Sequence, residues 1–228
     1  MKFDSAIVQL TPEKARIEEN LDRIADSVRL AVREGADLVC FAETIVSGYY
    51  LEGGVLECSL TGEELLAKLA SRLKDLPKEV DVCLGFYEQA GGNLYNSAAY
   101  LTFSSEPKLV HVYRKFFLPT YNIFDEERFV SRGRELGVFS TRFGKIGLLI
   151  CEDVWHSILS TLCAVAGAQM IIVPSASPAR GFSGELIGNH DRYLRMIRAV
   201  AEEHGVFLMN PQLTGFEGGK GFIGGSTI

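Results

Sequence analysis

The chain contains short apolar runs that alternate with segments in which apolar residues recur every three or four positions. The first pattern is typical of strands and the second of amphipathic helices. The runs predicted as strands are residues 3–10, 37–42, 80–88, 95–103, 108–114, 138–143, 146–151, 169–174 and 206–210. The segments predicted as helices are one that follows Thr11-Pro12 and stops at Gly35, one from Thr61 to about Leu73, and residues 155–167 and 183–203.

Local signals support several of these boundaries. Thr61-Gly-Glu-Glu64 has the spacing of a capping box, which starts a helix by pairing side chains with free backbone N–H groups. Ser104-Ser-Glu-Pro107 and Gly144-Lys145 each separate two strand-like runs, and short polar turns of this kind predict antiparallel pairs. Strands that alternate with helices predict an α/β protein, and the antiparallel pairs exclude a purely parallel, doubly wound sheet. We therefore expect a sandwich of mixed sheets.

Composition narrows the class of protein. The 228 residues carry a formal net charge of −6 and no cluster of Lys and Arg, which argues against nucleic acid as a partner. No apolar run reaches the roughly 18 to 20 residues that span a bilayer, and the start of the chain lacks the pattern of a signal peptide. No linker-like stretch divides the sequence. These observations predict a cytoplasmic protein, without a membrane partner, that folds as one domain over residues 1–228.

Cysteine and histidine usage bears on metal and disulfide sites. The five cysteines are an odd number without a CxxC pair, and the four histidines lack HxxxH spacing. Disulfide frameworks and zinc sites favour paired, regularly spaced cysteines or histidines. We expect reduced thiols and no metal site.

Three polar residues stand where apolar strands are predicted to end: Glu43, Lys115 and Cys151. Singly, each has an ordinary interpretation, as an exposed carboxylate, a lysine with its stem packed on the surface and an inert buried thiol. Together they offer chemistry. A thiol with an ordinary pKa needs a base to become a nucleophile near neutral pH, and Glu43 is a candidate. An ammonium group at Lys115 would stabilise the oxyanion formed when the thiolate attacks a carbonyl carbon.

The segments around these residues resemble the signature blocks of the nitrilase, or carbon–nitrogen hydrolase, superfamily. The blocks are CFAETIVSGYY around Glu43, YRKFFLPTYNIFDEERF around Lys115 and LLICEDVWH around Cys151, in the order of that family. The resemblance runs from AIVQLTP near the start, through NLYNSA, to the closing GGSTI. It implies a four-layer αββα sandwich, a homodimer or higher homo-oligomer, and hydrolysis of non-peptide C–N bonds without a cofactor.

The resemblance also assigns catalytic roles. It makes Glu43 the general base, Lys115 the oxyanion stabiliser and Cys151 the nucleophile, with the backbone N–H of Glu152 completing the oxyanion hole. A second acidic residue is expected near the lysine. We place it at Glu126, and the flanking residues Asp125 and Glu127 remain alternatives.

Within the superfamily, RKFFLPTYNIFDEERF and CEDVW most resemble the glutaminase domain of glutamine-dependent NAD synthetase. That similarity implies that glutamine is the amide substrate, that a separate synthetase subunit is a partner, and that the chain does not itself make NAD, because it lacks the pyrophosphate loop of the synthetase. The residues that match the glutamine pocket are Tyr49, Tyr121, Phe124, Glu152 and Ser177.

Several alternatives stay open from the sequence. The triad is equally compatible with an ω-amidase, an N-carbamoyl amidase or an aliphatic amidase, and a silent scaffold of the same fold is the alternative outside enzymes. Relatives usually continue beyond the segment that matches GGSTI, so we expect either that the C-terminal end of the family is missing or that the fold is trimmed.

Overall fold

Two separate β-sheets form the centre of the protein, which a computed structural model describes over residues 2–228. The first sheet contains, in spatial order, β1 (Ser5–Ile7), β2 (Leu38–Cys40), β3 (Val80–Ala90), β4 (Asn93–Phe103) and β5 (Lys108–Arg114). The neighbours β1, β2 and β3 are parallel, whereas β3, β4 and β5 pair antiparallel. The sheet is therefore mixed, as the sequence predicts.

The second half of the chain builds the other sheet. The remaining strands are β6 (Val138–Thr141), β7 (Gly144–Leu148), β8 (Met170–Ile172), β9 (Phe182–Ser183), β10 (Leu186–Ile187), β11 (Phe207–Met209), β12 (Thr214–Glu217) and β13 (Lys220–Ile223). The second sheet has the order β11-β8-β7-β6, with β6 antiparallel to β7 and the other neighbours parallel. The pairs β9–β10 and β12–β13 are small separate hairpins.

Four helices cover the outer faces of the two sheets. They are α1 (Ile17–Arg33), α2 (Gly62–Arg72), α3 (Ser157–Val165) and α4 (Gly188–His204). Buried residues of α1 and α2 share one apolar cluster with the face of the first sheet that carries Val39 and Phe41. Leu38 and Cys40 point to the opposite face, because side chains alternate along a strand, and join a second cluster with the other sheet, α3 and α4. The result is the predicted αββα sandwich.

Most predicted elements are present, and the differences lie at helix starts. The capping box is confirmed: Thr61 Oγ1 accepts from the Glu64 N–H at 3.2 Å, and Glu64 accepts from the Thr61 N–H at 2.8 Å. The start at Thr11-Pro12 is wrong, because the Asn20 side chain bonds both backbone groups of Glu13 and holds the preceding segment as a loop. Helix α1 therefore begins at Ile17.

Two other helices start later than predicted, because a different element forms directly before each of them. Residues 151–155 form a separate turn of 3-10 helix before α3, and residues 182–187 form the hairpin β9–β10 before α4. The hairpin β12–β13 was not predicted, because its sequence, Thr214–Ile223, is rich in glycine and has no apolar run.

No helix within residues 2–228 is both long and apolar enough to cross a membrane. All five cysteines are free thiols. Over the same residues, no group of three or more His, Cys, Asp or Glu side chains is arranged to hold a metal ion.

Candidate active site

Glu43 lies just after β2 and is completely buried, where a carboxylate requires partners. The neighbouring strand passes very close to it at Gly85. A Cβ atom at position 85 would lie 2.6 Å from the Glu43 Cα and 2.4 Å from the Thr44 nitrogen, so only glycine fits without a shift of the backbone. The following residue, Thr44, adopts a left-handed φ of 49°. The sequence thus turns the chain sharply at the end of β2 and leaves the Glu43 side chain inside the protein.

The Glu43 carboxylate has three donors, which come from three different parts of the chain. Its Oε1 atom accepts from Lys115 Nζ at 2.7 Å and from Asn96 Nδ2 at 2.8 Å. Its Oε2 atom accepts from the backbone N–H of Ala176 at 2.8 Å. The carboxylate is therefore fixed in position and remains an acceptor.

Lys115 follows β5 and lies between two carboxylates. Its Nζ atom is 2.7 Å from Glu43 Oε1 and 2.7 Å from Glu126 Oε1, and its side chain is fully buried. Burial alone would lower the pKa of Lys115, but the charges of Glu126 and Glu43 outweigh it and raise the pKa well above its ordinary value. Lys115 consequently stays an ammonium ion across the physiological range.

Glu126 is the carboxylate that the structure places against Lys115. Burial raises its pKa to about 7, although Lys115 opposes the shift. Its Oε1 atom also accepts from the Tyr49 hydroxyl. By contrast, Asp125 faces Arg128 and Glu127 faces Arg132, and both carboxylates are largely exposed. The geometry therefore favours Glu126 over its two neighbours as the second acidic residue.

Cys151 lies beyond the end of β7, where a 3-10 turn begins. Its φ is +45°, an uncommon value for a residue with a Cβ, and its backbone N–H donates to the Pro174 carbonyl at 3.0 Å. Backbone strain of this kind is concentrated at functional sites, where the surrounding structure enforces it. The turn places the partly buried Cys151 beyond the carboxyl end of β7, an inner strand of the second sheet.

The surroundings of the Cys151 thiol favour its protonated form. Burial raises its pKa well above the ordinary value, and the negative charge of Glu43 adds to the shift. Lys115 and hydrogen bonds from the Ala176 N–H and the Tyr193 hydroxyl oppose it. A thiol in this state needs a base before it can react, and Glu43 is the carboxylate whose charge the thiol senses most strongly.

Asp153 joins the segment that carries Lys115 to the segment that carries Cys151. Its Oδ1 atom accepts from the N–H groups of Phe116 and Phe117, at 3.1 and 2.8 Å. Its Oδ2 atom accepts from the Tyr113 hydroxyl at 2.9 Å and from the Ile150 N–H at 3.0 Å. One buried carboxylate thus fixes the ends of β5 and β7 relative to each other.

Three of the predicted substrate-binding residues lie together beside the thiol. The Tyr121 hydroxyl donates to Glu152 Oε2 at 2.9 Å, and the rings of Tyr121 and Phe124 are 5.7 Å apart. The positions of Glu152, Tyr121 and Phe124 therefore suit a pocket with one acidic group and two aromatic walls.

The other two predicted pocket residues make different contacts. Tyr49 is buried, and its hydroxyl donates a hydrogen bond to Glu126. It therefore contacts the charged groups around Lys115. Ser177 accepts from Asn189 Nδ2 at 3.0 Å and is engaged within its own loop. Tyr49 also lines a cavity of about 500 Å³, together with Phe124 and Glu126, that does not include Cys151.

A family model described as carbon–nitrogen hydrolase matches residues 5–228. The chain belongs to the carbon–nitrogen hydrolase family. It is accordingly an enzyme of the carbon–nitrogen hydrolase class.

Known relatives of this carbon–nitrogen hydrolase include synthetases and amidases. The chain is 33% identical over 177 residues to the glutamine-dependent NAD(+) synthetase of Acinetobacter baylyi. The matched region includes 77% of this chain and 32% of that protein. The structure of glutamine-dependent NAD+ synthetase from Acinetobacter baumannii, in complex with ADP, matches with a TM-score of 0.84 and 26% identity over 98% of this chain and 40% of that one. An amidase from Nesterenkonia sp. matches with a TM-score of 0.76 and 25% identity over 97% of this chain and 79% of that one.

These matches differ in how much of the relative they include. The chain spans about a third of the length of the curated synthetase that it resembles. It spans 79% of the amidase. What this carbon–nitrogen hydrolase shares with the synthetase is therefore one part of a longer protein.

Sequence reasoning missed three residues that contact the candidate site of this carbon–nitrogen hydrolase: Asn96, Asp153 and Tyr193. Asn96 lies within the NLYNSA segment and Asp153 within the LLICEDVWH block, so both stood in segments that carried the family resemblance. Tyr193 lies on the buried face of α4, where an aromatic residue reads as core.

Proposed function

We propose that this single carbon–nitrogen hydrolase domain cleaves a small primary amide through a thioester on Cys151. The observation that carries the proposal is the buried contact between Glu43 and Lys115, at 2.7 Å, beside the thiol of Cys151. A base, a cation and a nucleophile in one water-poor site are the components that acyl transfer requires.

Acylation begins with transfer of the Cys151 proton to Glu43 while Sγ attacks the amide carbon. The C=O electron pair moves to oxygen, and the resulting oxyanion is stabilised by the Lys115 ammonium and the backbone N–H of Glu152. The first N–H groups of a helical turn have no acceptor within that turn, which leaves the Glu152 N–H available. The C–N bond then breaks, Glu43 gives its proton to the leaving nitrogen, and ammonia and a thioester result.

Deacylation uses the same groups in the reverse order. Glu43 removes a proton from water, the hydroxyl oxygen attacks the thioester carbon, and Lys115 again stabilises the oxyanion. The C–S bond breaks, and the proton on Glu43 returns to the thiolate. The sum of the two halves is amide and water giving carboxylic acid and ammonia, with no cofactor consumed.

Glu126 acts as a positioning residue in this scheme. Together with Glu43 it holds the Lys115 ammonium, and both carboxylates lie 2.7 Å from Nζ. Tyr49 in turn donates to Glu126, so the lysine cannot rotate away from the thiol without breaking a buried hydrogen bond. We assign no direct proton transfer to Glu126.

The substrate that we propose is glutamine, and a separate synthetase subunit that consumes the ammonia is the partner. Two features support this choice. Relatives of the family bear the name glutamine-dependent NAD(+) synthetase. Glu152, beside Tyr121 and Phe124, can pair with the α-ammonium group of an amino acid while the aromatic rings exclude water from the thioester. Pairing through the outer helices into a homodimer is part of the same proposal.

The test is ammonia release from glutamine, ω-amides of dicarboxylic acids, N-carbamoyl amino acids and simple aliphatic amides. Cys151→Ala serves as the blank, and Cys58→Ala is the matched control because Cys58 is a buried cysteine in a different apolar cluster. We expect glutamine turnover that Cys151→Ala abolishes and Cys58→Ala retains. Turnover that persists in Cys151→Ala would overturn the mechanism.

The remaining outcomes distinguish an error in the proposed substrate from an error in the proposed mechanism. Turnover of another amide, abolished by the same variant, would retain the triad and refute glutamine as the substrate. Without turnover, selective alkylation of Cys151 by iodoacetamide and co-purification of a synthetase would support a subunit that its partner activates. An inert thiol together with no turnover would support the scaffold interpretation.

A further inference from the structure

The hairpin β12–β13 packs against the loop between β2 and α2. Its second strand is anchored by the backbone N–H of Ala179, which donates to the Gly221 carbonyl at 2.8 Å. The buried ring of Phe222 lies 6.3 Å from the ring of Tyr49 and 6.0 Å from the ring of Tyr50, measured between centres. The hairpin is therefore fixed to two other segments of the chain.

One carboxylate of this hairpin, that of Glu217, holds the backbone of the loop. Its Oε2 atom accepts from the N–H of Tyr49 at 2.8 Å and from the N–H of Tyr50 at 3.0 Å. The approach is close, because a Cβ atom at position 48 would lie 3.0 Å from Glu217 Oε1. Gly48 also has a left-handed φ of 85°, so glycine suits both the backbone conformation and the contact.

The burial of Glu217 is unfavourable in itself. The residue is 7% exposed, and burial raises the pKa of Glu217, whereas the hydrogen bonds from Tyr50 and Tyr49 oppose the shift. Its Oε1 atom is shielded from solvent and has no hydrogen-bond partner within residues 2–228. A buried acceptor without a donor destabilises a protein. The two N–H groups are thus the contacts that offset this cost, and they tie the carboxylate to the position of the loop.

The loop that Glu217 holds also contacts the charged groups around Lys115. The Tyr49 hydroxyl donates to Glu126, and Glu126 Oε1 lies 2.7 Å from Lys115 Nζ. The Tyr49 carbonyl accepts from the Tyr87 hydroxyl at 2.8 Å. Residue 49 is therefore held at its N–H, its carbonyl and its hydroxyl, and the first of these contacts comes from the hairpin.

We infer that Glu217 is a positioning residue, which acts through Tyr49 on the ammonium group of Lys115. The inference rests on the proposed function for the role of Lys115 in turnover. A second property of the site also depends on the lysine, because its charge opposes the rise in the pKa of the Cys151 thiol. The reactivity of the thiol therefore reports the position of the lysine without any turnover.

Alkylation of Cys151 by iodoacetamide at about pH 8, followed by mass spectrometry, tests the inference. Glu217→Ala removes the acceptor of both N–H groups. It should slow alkylation about tenfold, since a rise of about one pH unit in the pKa of a thiol lowers the thiolate fraction tenfold. Glu217→Gln keeps an oxygen for both N–H groups and should react within about threefold of the wild type. Glu106→Ala, at an exposed glutamate between β4 and β5, is the control and should not change the rate.

A double-mutant cycle with Tyr49→Phe separates the positioning role from a general loss of structure. Phenylalanine keeps the backbone N–H and the ring but removes the hydroxyl that donates to Glu126. In the Tyr49→Phe background, Glu217→Ala should slow alkylation less than about threefold. Equal effects of Glu217→Ala in both backgrounds would overturn the inference. An unchanged or faster reaction of the single variant, or an equal loss in Glu217→Gln, would also overturn it.

Ammonia release distinguishes failure of this inference from failure of the proposed function. Glu217→Ala should lower kcat about tenfold and leave KM within about threefold of the wild type. Hydrolysis that depends on Cys151 but has the same kcat in Glu217→Ala would refute the positioning role and retain the triad. Alkylation that depends on Glu217 through Tyr49, with no hydrolysis that depends on Cys151, would retain the positioning role and refute the proposed mechanism. A thiol that is inert in the wild type would refute both.

Discussion

Replacement of Asp153 by asparagine is expected to destabilise the protein at low pH and much less at high pH. Asp153 accepts four hydrogen bonds, three from backbone N–H groups and one from the Tyr113 hydroxyl. Asparagine keeps an acceptor for Phe116 and Phe117 but places an NH₂ group against the Ile150 N–H, where two donors meet. The Tyr113 hydroxyl can rotate and accept instead.

The change in the free energy of unfolding has two sources: one N–H donor that loses its acceptor, and one buried charge that is removed. A buried N–H without an acceptor costs about 1–3 kcal/mol. In the wild-type chain, burial raises the pKa of Asp153 from 3.8 to about 6 despite its hydrogen bonds from Phe117 and Ile150. A shift of about 2 pH units corresponds to about 3 kcal/mol between the two protonation states.

The sign of the pH dependence is set by this raised pKa. The wild-type chain has the full contribution of Asp153 to its free energy of unfolding below pH 3.8 and loses it as the pH rises through about 6. Asparagine does not titrate. The stability deficit of Asp153→Asn should therefore shrink by about 2 kcal/mol between pH 4.5 and pH 8.

Urea unfolding, monitored through the fluorescence of the single tryptophan, Trp155, measures the difference in the free energy of unfolding between the wild type and Asp153→Asn at each pH. The control is Asp75→Asn, at an exposed carboxylate, which should change the free energy of unfolding by less than about 0.5 kcal/mol throughout. A deficit of Asp153→Asn that grows as the pH rises would refute the reasoning, because it would mean that the donors stabilise the carboxylate more than burial penalises it.

Three further substitutions test the site. Lys115→Met should lower kcat for ammonia release by about 10²–10³-fold with the circular dichroism spectrum preserved, and a rate within tenfold of the wild type would contradict its role in stabilising the oxyanion. Gly85→Ala should lower both Tm and kcat, because the added Cβ would lie 2.6 Å from the Glu43 Cα; unchanged values would show that the backbone relaxes without cost. Tyr121→Phe removes the donor to Glu152 and should leave Tm unchanged while altering KM for amino-acid amides, and an equal effect on amides without an amino group argues against this pairing.

The sequence was sufficient to predict the layers and the residues at the strand ends. Apolar periodicity depends on which faces are buried, so the strands of both sheets and the four helices were recognisable. Glu43, Lys115 and Cys151 were conspicuous because a charged or reactive residue directly after a buried strand is unusual. Their proximity in space depends on the packing of the two sheets, and the resemblance to a family supplied that step.

Other features depend on contacts that no local pattern contains. Asp125, Glu126 and Glu127 are adjacent carboxylates, and only the 3-10 turn at 126–128 directs the middle one inward. The loop before α1 is held by Asn20, whose hydrogen bonds compete with a helix that starts at Pro12. Arg180 is distant in sequence from Phe124, and no local pattern predicts the contact of its guanidinium group with that ring.

The division of the site between the two sheets has a consequence for how the protein matures during synthesis. Glu43 and Lys115 follow strands of the first sheet, and Cys151 comes after a strand of the second. The sheets meet through apolar side chains, so the thiol reaches the Glu43 carboxylate only after the later sheet has docked on the earlier one. A nascent chain that has folded only its first sheet holds the proposed base and cation but not the proposed nucleophile. Chemical reactivity of Cys151 is therefore a marker of completed assembly that secondary structure alone does not provide.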